Sequence, residues 1–389
     1  MDMRIQPGRL SGSVTPPPSK SMAHRVVLAQ MLSARPGRTE NLSASQDILA
    51  TQGCIAALKA AKPGELPHLD CGESGSTLRF LIPIALAVAG GGVFTGRGRL
   101  MERPQKPYFD IFDERGISYD LTGGILTVQG RLTPGTYRLP GNVSSQFVTG
   151  LLYALPLLEG DSEIVITSPL ESRGYVDMTL DTLARFGVTA ENENYERFRV
   201  PGNQHYQGRD TAIEADWSQA GFWYAANFLD NRVDIQGLDP RSAQGDRVVA
   251  ELYRQLARPG DTDIDVSGCP DLLPPLAVMA AVRSGTTRFV NAARLRIKER
   301  DRLATVRALI TALGGQAEEG PDSLTVRSVS NLSGGTVDGA NDHRIVMAAA
   351  IAATACTGPV TILGAEAVRK SYPTFWEEYD RLGGMTHVL

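Results

Sequence analysis

The sequence is poor in the residues that mark extracellular and zinc-binding proteins. Its 389 residues include four cysteines and five histidines, with no CxxC pair and no histidine cluster near a cysteine. Because zinc sites and disulfide frameworks need such patterns, the sequence predicts neither. We therefore expect a protein of the reducing cytoplasm that carries no metal.

Long apolar runs and a charge excess of one sign are also lacking. The longest apolar run, around Leu81 to Val88, is too short to span a bilayer, and the first residues contain no apolar signal core. A net charge of −4 argues against broad electrostatic capture of nucleic acid or an anionic membrane. Any anion site must therefore be built locally, in a chain whose length suggests roughly two domains.

What the sequence does contain is a unit repeated six times. Each time, a small or polar residue typical of a helix N-cap leads into an apolar, alanine-rich stretch. The stretches are Ser19–Gln30, Gly75–Ala85, Ser144–Leu155, Trp217–Phe228, Pro270–Ala281 and Asn341–Ala352. A compositional habit of buried helices would explain the stretches alone. It does not explain the polar residues placed at their starts.

Each apolar stretch is followed by a more amphipathic helical pattern. These patterns cover Asp47–Lys59, Lys106–Arg115, Tyr175–Phe186, Gln244–Leu256, Glu299–Leu313 and Tyr372–Leu382. Four of them stop at a glycine typical of a left-handed C-cap, namely Gly116, Gly187, Gly314 and Gly383. Short β-branched runs such as Glu163–Thr167 lie between the helices and predict strands. The rhythm predicts α/β units whose first helix is buried and whose second lies nearer solvent.

The helix starts carry the residues that suit anion binding. Unpaired N–H groups and a partial positive charge make a helix start a natural anion site. The donors placed there are Lys20, Ser21, Arg25, Gly75, Ser76, Arg79, Ser144, Ser145, Gln146 and Arg344, and the loops add Arg103, Lys298, Arg302 and Lys370. Singly, each cation is typical of a solvated surface. Their recurrence at equivalent places favours a pocket for more than one phosphate or carboxylate.

Two acids interrupt this cationic set. Asp271 stands at the fifth helix start and Glu299 beside Lys298. A carboxylate among cations stays ionised, so either acid is a candidate general base for a substrate hydroxyl. Asp271 is equally explained as an ordinary N-cap, and Glu299 as an ion-pair partner of Lys298 or Arg302.

Seven motifs resemble those of the 5-enolpyruvylshikimate-3-phosphate synthase family, in the same order. They are PPPSKSMAHR at 16–25, GESGSTLR at 72–79, ERPQKP at 102–107, SSQF at 144–147, KERDR at 298–302, NDHR at 341–344 and RKSYP at 369–373. Together they cover nearly the whole chain, so the resemblance is highly specific.

The resemblance implies an α/β protein with the two-domain enolpyruvyl transferase fold. Six βαββαβ repeats, three per domain, would surround buried parallel helices, with residues 15–213 in one domain and residues 1–14 and 214–389 in the other. The implied reaction transfers the enolpyruvyl group of phosphoenolpyruvate to the 5-hydroxyl of shikimate 3-phosphate and releases phosphate, in aromatic amino-acid biosynthesis. It needs no metal or other cofactor. We expect a cytoplasmic monomer that acts on these small molecules, without a nucleic-acid or membrane partner.

The resemblance also assigns roles to individual residues. Lys20, Asp271 and Glu299 would be catalytic. Shikimate 3-phosphate would be bound by Ser144, Ser145, Gln146 and Ser172, with Asp271 and Lys298 at its ring hydroxyls. Phosphoenolpyruvate would be surrounded by Lys20, Gly75, Arg103, Arg302, Arg344 and Lys370, while Ser21 and Arg25 would help to hold both substrates. Glyphosate, which competes with phosphoenolpyruvate in this family, should therefore inhibit the protein.

Two departures and two rival readings accompany the resemblance. Glu73 stands where the family usually has asparagine, and Arg300 where it has a hydroxyl residue. The sister enzyme that acts on UDP-N-acetylglucosamine usually carries a reactive cysteine in the loop that here reads FTGRGRLMERP, which has none. A non-catalytic relative would be favoured by loss of Lys20, Asp271 or Glu299, and all three are present.

Overall fold

The chain forms two compact units. The computed structural model describes residues 1–298 and 300–389, so the predicted catalytic residue Glu299 lies outside the described residues. One unit, the continuous unit, spans Lys20–Ile213. The other, the discontinuous unit, joins Met1–Ser19 to Glu214–Leu389.

Twelve α-helices in the described part of the chain form six consecutive pairs, three in each unit. They are α1 Lys20–Leu32, α2 Gln46–Ala60, α3 Gly75–Ala89, α4 Lys106–Arg115, α5 Ser145–Ala154, α6 Arg173–Arg185, α7 Trp217–Phe228, α8 Val249–Leu256, α9 Leu273–Val282, α10 Arg302–Ala312, α11 His343–Ala353 and α12 Phe375–Arg381. Short 3-10 turns precede α8 at Gly245–Val248 and α9 at Pro270–Leu272. The six predicted helix pairs are confirmed.

Twenty strands accompany these helices in the described residues. They are β1 Met3–Gln6, β2 Ser11–Val14, β3 Thr39–Glu40, β4 His68–Asp70, β5 Gly91–Thr95, β6 Ser118–Thr122, β7 Ile125–Gln129, β8 Gly135–Leu139, β9 Ser162–Ile166, β10 Glu191–Glu193, β11 Arg197–Val200, β12 Thr211–Ala212, β13 Arg232–Ile235, β14 Thr262–Asp265, β15 Thr286–Val290, β16 Gln316–Glu319, β17 Leu324–Arg327, β18 Gly335–Asp338, β19 Val360–Leu363 and β20 Met385–Val388. Mixed strands and helices confirm the predicted α/β class.

Each unit builds the same set of sheets from its described strands. The continuous unit has the orders β4-β5-β7-β6, β10-β11-β9-β8 and β12-β3, and the discontinuous unit has β14-β15-β17-β16, β18-β19-β1-β20 and β13-β2. Every four-stranded sheet combines one parallel pair with two antiparallel pairings. In three of these sheets the chain order is strand, helix, strand, helix, strand, strand. The resemblance implied the order βαββαβ. In the structure the second helix instead comes before the final two strands, which form a hairpin.

The first helix of each pair is buried, as its composition predicts. Every residue of α11 is buried, and α7 packs against both α9 and α11. In the continuous unit α3 packs against α5. The second helices bury only part of their surface: in α2 the buried residues are Ile48, Thr51, Cys54 and Leu58. The polar ends of the buried helices are therefore the places where the core meets functional groups.

Helix ends follow the predicted signals at most positions. The four predicted C-cap glycines all adopt left-handed φ values, from 65° at Gly116 to 97° at Gly383. The predicted start of the last helix at Tyr372 is wrong, because Pro373 disfavours helical backbone in the residue before it, and α12 begins at Phe375. None of the described helices combines the length and apolarity that a membrane crossing requires.

Candidate active site

In the continuous unit, Lys20 is held by an acid that the sequence patterns did not single out. Its Nζ lies 2.7 Å from Oδ2 of Asp47, near the start of α2, and both side chains are mostly buried. The pair fixes the ammonium at the first residue of α1. A lysine held in this way supplies a positioned positive charge and a proton donor.

Arg25 is buried, and its guanidinium is bonded to protein groups. Its guanidinium donates to the Ser21 carbonyl at 2.7 Å, to the Tyr175 carbonyl at 2.7 Å and to Thr179 Oγ1 at 2.9 Å. Burial lowers the pKa of Arg25 to about 10, so the group remains charged at neutral pH. These bonds tie the start of α1 to α6, and with it Ser21, the residue next to Lys20.

Gly75 and Arg103 form a close contact at the start of α3. A Cβ built on Gly75 would lie 2.5 Å from Nη1 of Arg103 and 2.9 Å from its Cζ. The guanidinium therefore lies directly over the glycine backbone at a helix start. Ser74 caps this helix by accepting the Thr77 N–H. A cation beside a helix N-terminus is a suitable site for a phosphate or carboxylate.

Gln146 is oriented from both ends of its amide. Its Oε1 accepts from Nη1 of Arg79 at 2.9 Å, and its Nε2 donates to Ser76 Oγ at 2.9 Å. Arg79 is buried, donates also to the Pro104 carbonyl at 2.9 Å, and lies over the Phe147 ring. Because Pro104 follows Arg103, a single guanidinium holds Gln146 in place beside the segment that carries Arg103.

The predicted serines lie at the starts of α5 and α6. Ser144 caps α5 by accepting the Gln146 N–H, and Ser145 is the first residue of that helix. Ser172 precedes α6 with a φ of 54°, a left-handed conformation that non-glycine residues adopt rarely. Helices α5 and α6 pack against each other. The structure therefore places the serine groups on two neighbouring helix starts.

In the discontinuous unit, Asp271 lies among the predicted cations. Its Oδ1 is 2.9 Å from Nη1 of Arg302 and 3.7 Å from Nζ of Lys298, and its Oδ2 is 2.9 Å from Nη2 of Arg344. The N-cap of α9 is Leu272, so the interpretation of Asp271 as the cap of that helix is wrong. Three neighbouring cations favour the ionised carboxylate.

Arg302 joins this cluster to the start of α11. It is 1% exposed, and its guanidinium also contacts the Asp342 carboxylate, with Nε and Nη2 at 3.0 and 2.9 Å from Oδ2. Asp342 is fully buried and caps α11 by accepting the Arg344 N–H at 2.9 Å. Two carboxylates and two arginines thus form one ionic network, in which Arg302, Arg344 and Asp342 are buried and Asp271 is partly exposed.

Lys370 reaches the same helix start by another route. It is 5% exposed, and its Nζ donates to the Asn341 carbonyl at 2.8 Å. Asn341 has a φ of 53° and directly precedes Asp342. The structure therefore associates Asp271, Lys298, Arg302, Arg344 and Lys370, five of the six site residues predicted in this part of the sequence.

Asp246 is a further acid of this cluster, and the sequence patterns missed it. It is 3% exposed and accepts a hydrogen bond from Ser218 Oγ. Burial, and then the neighbouring Asp271 carboxylate, raise the pKa of Asp246 to about 7. No local pattern in QGDR distinguishes a buried aspartate from a helix-capping one, because its neighbours come from other helices.

The raised pKa of Asp246 predicts a pH dependence of stability. Its pKa in the folded protein lies above the unfolded value, so its contribution is present at low pH and is lost as pH rises through about 7. Asp246→Asn stays neutral, so the free energy of unfolding of the variant relative to wild type should rise by roughly 3 kcal/mol from pH 5 to pH 8. Urea unfolding at both pH values measures this. Asp230→Asn, at an exposed position, should show no such change. The prediction would be contradicted if the free energy of unfolding of Asp246→Asn changed with pH in parallel with that of wild type.

The structure also describes the two positions that depart from the resembling motifs. The Glu73 carboxylate approaches Gly98, where an added Cβ would be 3.1 Å from its Oε2. Arg300 is exposed, and its Nε donates to the Ala340 carbonyl at 3.4 Å. Within the described residues, no group of three or more histidine, cysteine, aspartate or glutamate side chains is arranged to hold a metal ion.

Solved structures share this fold along the whole chain. An EPSP synthase from Acinetobacter baumannii matches with a TM-score of 0.80 at 23% identity, covering 100% of both chains. The enolpyruvyl transferase NikO from Streptomyces tendae matches with a TM-score of 0.78 at 18% identity, covering 99% of this chain and 98% of that one. The fold is therefore that of the enolpyruvyl transferases.

Sequence comparison narrows this class to one family. The family described as EPSP synthase (3-phosphoshikimate 1-carboxyvinyltransferase) matches residues 5–379. Curated proteins named 3-phosphoshikimate 1-carboxyvinyltransferase from Clostridium acetobutylicum and Clostridium novyi are 44% and 42% identical, each match covering 99% of this chain and 98% of the relative. The chain belongs to the EPSP synthase family.

Proposed function

We propose that this protein transfers the enolpyruvyl group of phosphoenolpyruvate to the 5-hydroxyl of shikimate 3-phosphate and releases phosphate. This is the reaction of 3-phosphoshikimate 1-carboxyvinyltransferases in the shikimate pathway of aromatic amino-acid biosynthesis. The observation that carries the proposal is family membership over nearly the entire chain. The Asp271 carboxylate among Arg302, Arg344 and Lys298 supports it.

The proposed chemistry is an addition followed by an elimination. The methylene carbon of phosphoenolpyruvate gains a proton, and the 5-hydroxyl oxygen bonds to the adjacent carbon while losing its own proton. The resulting tetrahedral intermediate then loses phosphate and a methyl proton, which restores the double bond. We assign the hydroxyl proton to Asp271, and the protons at the methylene and the leaving phosphate to Lys20 and Glu299. The arginines stabilise the negative charge.

Each substrate is assigned to its own set of predicted residues. We assign the phosphate of shikimate 3-phosphate to Ser144, Ser145, Gln146 and Ser172, with Lys298 and Asp271 at the ring hydroxyls. We assign phosphoenolpyruvate to Lys20, Gly75, Arg103, Arg302, Arg344 and Lys370, with Ser21 and Arg25 beside both ligands. The fixed Gln146 amide and the contact between Gly75 and Arg103 support these assignments.

Phosphate release tests the proposed function directly. Purified protein mixed with both substrates should release one phosphate for each enolpyruvyl product formed, and omission of either substrate should abolish release. UDP-N-acetylglucosamine in place of shikimate 3-phosphate should give none. If no phosphate is released while an active enzyme of the same family, assayed in parallel, does release it, the proposal is overturned. Release with phosphoenolpyruvate and UDP-N-acetylglucosamine, but not with phosphoenolpyruvate and shikimate 3-phosphate, would assign the sister reaction.

We also propose that the protein acts as a cytoplasmic monomer, with small molecules as its only partners. All four cysteines are buried free thiols, the state that a reducing compartment maintains. Sedimentation equilibrium should give the mass of one chain, 41.8 kDa, with and without substrates. A mass of twice that value would contradict the monomer.

Gly75→Ala should weaken the binding of phosphoenolpyruvate and of glyphosate. The new methyl would lie 2.5 Å from Nη1 of Arg103, so the guanidinium must move away from the helix start. Loss of a charge-assisted hydrogen bond costs about 1.5 to 3 kcal/mol, so both affinities should fall by roughly tenfold or more. Titrating glyphosate against phosphoenolpyruvate with wild type and variant measures this.

Gly53→Ala is the matched control for this experiment. Gly53 lies within α2, and a Cβ added there would meet no atom within 4 Å. Both affinities should therefore stay within about twofold of wild type, since removing a helical glycine removes no contact. Weak inhibition of wild type by glyphosate, unchanged in Gly75→Ala, would show that Gly75 does not line the phosphoenolpyruvate site.

A further inference from the structure

A buried chain of hydrogen bonds connects the first three helices of the continuous unit. Nδ1 of His24 lies 2.8 Å from Thr51 Oγ1, which lies 2.7 Å from Thr77 Oγ1. Thr77 Oγ1 then donates to Ser74 Oγ at 2.8 Å. All four side chains are at most 1% exposed. The chain therefore runs from the middle of α1, across α2, to the residue that caps α3.

Two members of this chain, Ser74 and Thr51, lie next to residues that bear on phosphoenolpyruvate. Ser74 directly precedes Gly75, whose backbone lies against the Arg103 guanidinium. Within the chain, Thr51 Oγ1 lies 3.2 Å from the carbonyl oxygen of Asp47, the residue whose carboxylate holds Lys20. Ser74 thus caps the helix start beneath Arg103, and Thr51 lies beside the backbone of the acid that holds Lys20.

The positions of the hydrogen atoms give this chain of hydrogen bonds a direction from donor to acceptor. Burial, together with the nearby charges of Lys20 and Arg25, lowers the pKa of His24 well below its usual value, so the ring is neutral. Nε2 of His24 is buried and has no hydrogen-bond partner among the described residues. Placing the hydrogen on Nδ1 avoids a buried, unpaired N–H, and lets His24 donate to Thr51, Thr51 to Thr77, and Thr77 to Ser74.

We propose that His24, acting through Thr51 and Thr77, is a positioning residue for the phosphoenolpyruvate groups of this enzyme. The inference rests on the proposed function. His24 touches no reacting atom; it orients Ser74, which sets the first turn of α3 where Gly75 and Arg103 meet. Shikimate 3-phosphate should depend on it much less, because Ser144, Ser145 and Ser172 lie on other helix starts, and Gln146 keeps its bond from Arg79.

Breaking the central hydrogen bond should change the KM values of the two substrates to different extents. Thr51→Val keeps the shape of the side chain but removes the hydroxyl, so Thr77 and Ser74 lose their fixed orientation. We expect the KM for phosphoenolpyruvate to rise about fivefold to tenfold, the effect of about one lost hydrogen bond. The KM for shikimate 3-phosphate should stay within about twofold. Thr51→Ser restores the hydroxyl and should return the KM for phosphoenolpyruvate to near the wild-type value.

Changes at His24 provide an independent test. His24→Leu should raise the KM for phosphoenolpyruvate as Thr51→Val does, and His24→Asn, whose amide can donate to Thr51, should largely preserve it. The double variant His24→Leu with Thr51→Val should be little worse than either single variant, because one chain is broken in each case. If Thr51→Val does not fold, His24→Leu and His24→Asn decide the outcome. If His24→Leu does not fold, Thr51→Val and Thr51→Ser decide it.

A merely structural role gives a different result. Thr51→Val and His24→Leu would then lower the melting temperature while the KM for phosphoenolpyruvate stayed at the wild-type value, and this outcome would overturn the inference. Equal increases in the KM of both substrates would also overturn it. Failure of the proposed function is distinguishable, because wild type itself would then release no phosphate.

Discussion

Replacing Asp271 with asparagine should lower turnover by about 100-fold or more while leaving binding of shikimate 3-phosphate largely intact. Asparagine has nearly the same size, so it removes the charge and the proton-accepting oxygen without opening a cavity. The carboxylate is held 2.9 Å from both Arg302 and Arg344, two cations that favour its charged form and fix its direction. An ionised, oriented acid is what a general base for the substrate hydroxyl requires.

Initial rates and direct binding of shikimate 3-phosphate measure the two parts of this prediction. Asp265→Asn is a suitable control, because Asp265 lies in the same unit, is exposed, and accepts hydrogen bonds from the Ser267 backbone and the Asn291 side chain. Its turnover should stay within about twofold of wild type. Near-normal turnover of Asp271→Asn would show that Asp271 only organises the arginines.

The largest loss of stability is expected for Arg302→Met. Arg302 is 1% exposed and contacts the carboxylates of Asp271 and Asp342, of which Asp342 is fully buried. Removing one partner of a buried ionic network leaves an uncompensated charge, which costs about 3 to 5 kcal/mol. Methionine roughly preserves the length of the aliphatic stem, so the loss reports mainly the missing guanidinium. Urea unfolding of the purified variant measures this free energy.

The control for Arg302→Met lies on the same helix. Arg307 contacts Glu319 at 3.5 Å with a side chain that is 44% exposed. Exposed ion pairs contribute about 0 to 1 kcal/mol, so Arg307→Met should change the free energy of unfolding by no more than that. Equal losses for the two variants would show that the network around Asp342 does not stabilise this unit more than a surface pair does.

Local sequence signals predicted the helices well where the signal and the structure depend on the same few residues. Trp217–Phe228 is both the predicted stretch and the observed helix α7. Its N-cap, Asp216, accepts the Gln219 N–H, a contact that spans only three residues. Gly116 likewise ends α4 in the left-handed conformation, which glycine adopts without steric cost. Caps are local, so a single sequence contains them.

The partners of the site residues could not be predicted in the same way. Motif resemblance placed Lys20 and Arg302 in the site, but the acids that hold them, Asp47 and Asp342, come from other helices. The close approach of Arg103 to Gly75 likewise depends on how a loop packs on a helix start. Such pairings depend on tertiary packing, and a single sequence carries no signal that identifies them.

The pairing of β1 bears on the order in which the chain can fold during its synthesis. Met3 pairs with both Ile362 and Val388, so a strand made near the beginning is enclosed by two strands made near the end. The continuous unit, Lys20–Ile213, needs no later residue for its sheets. It can therefore form on the ribosome first. The discontinuous unit cannot complete the sheet that contains β1 until β19 and β20 have been synthesised. Until then β1 has no sheet partners.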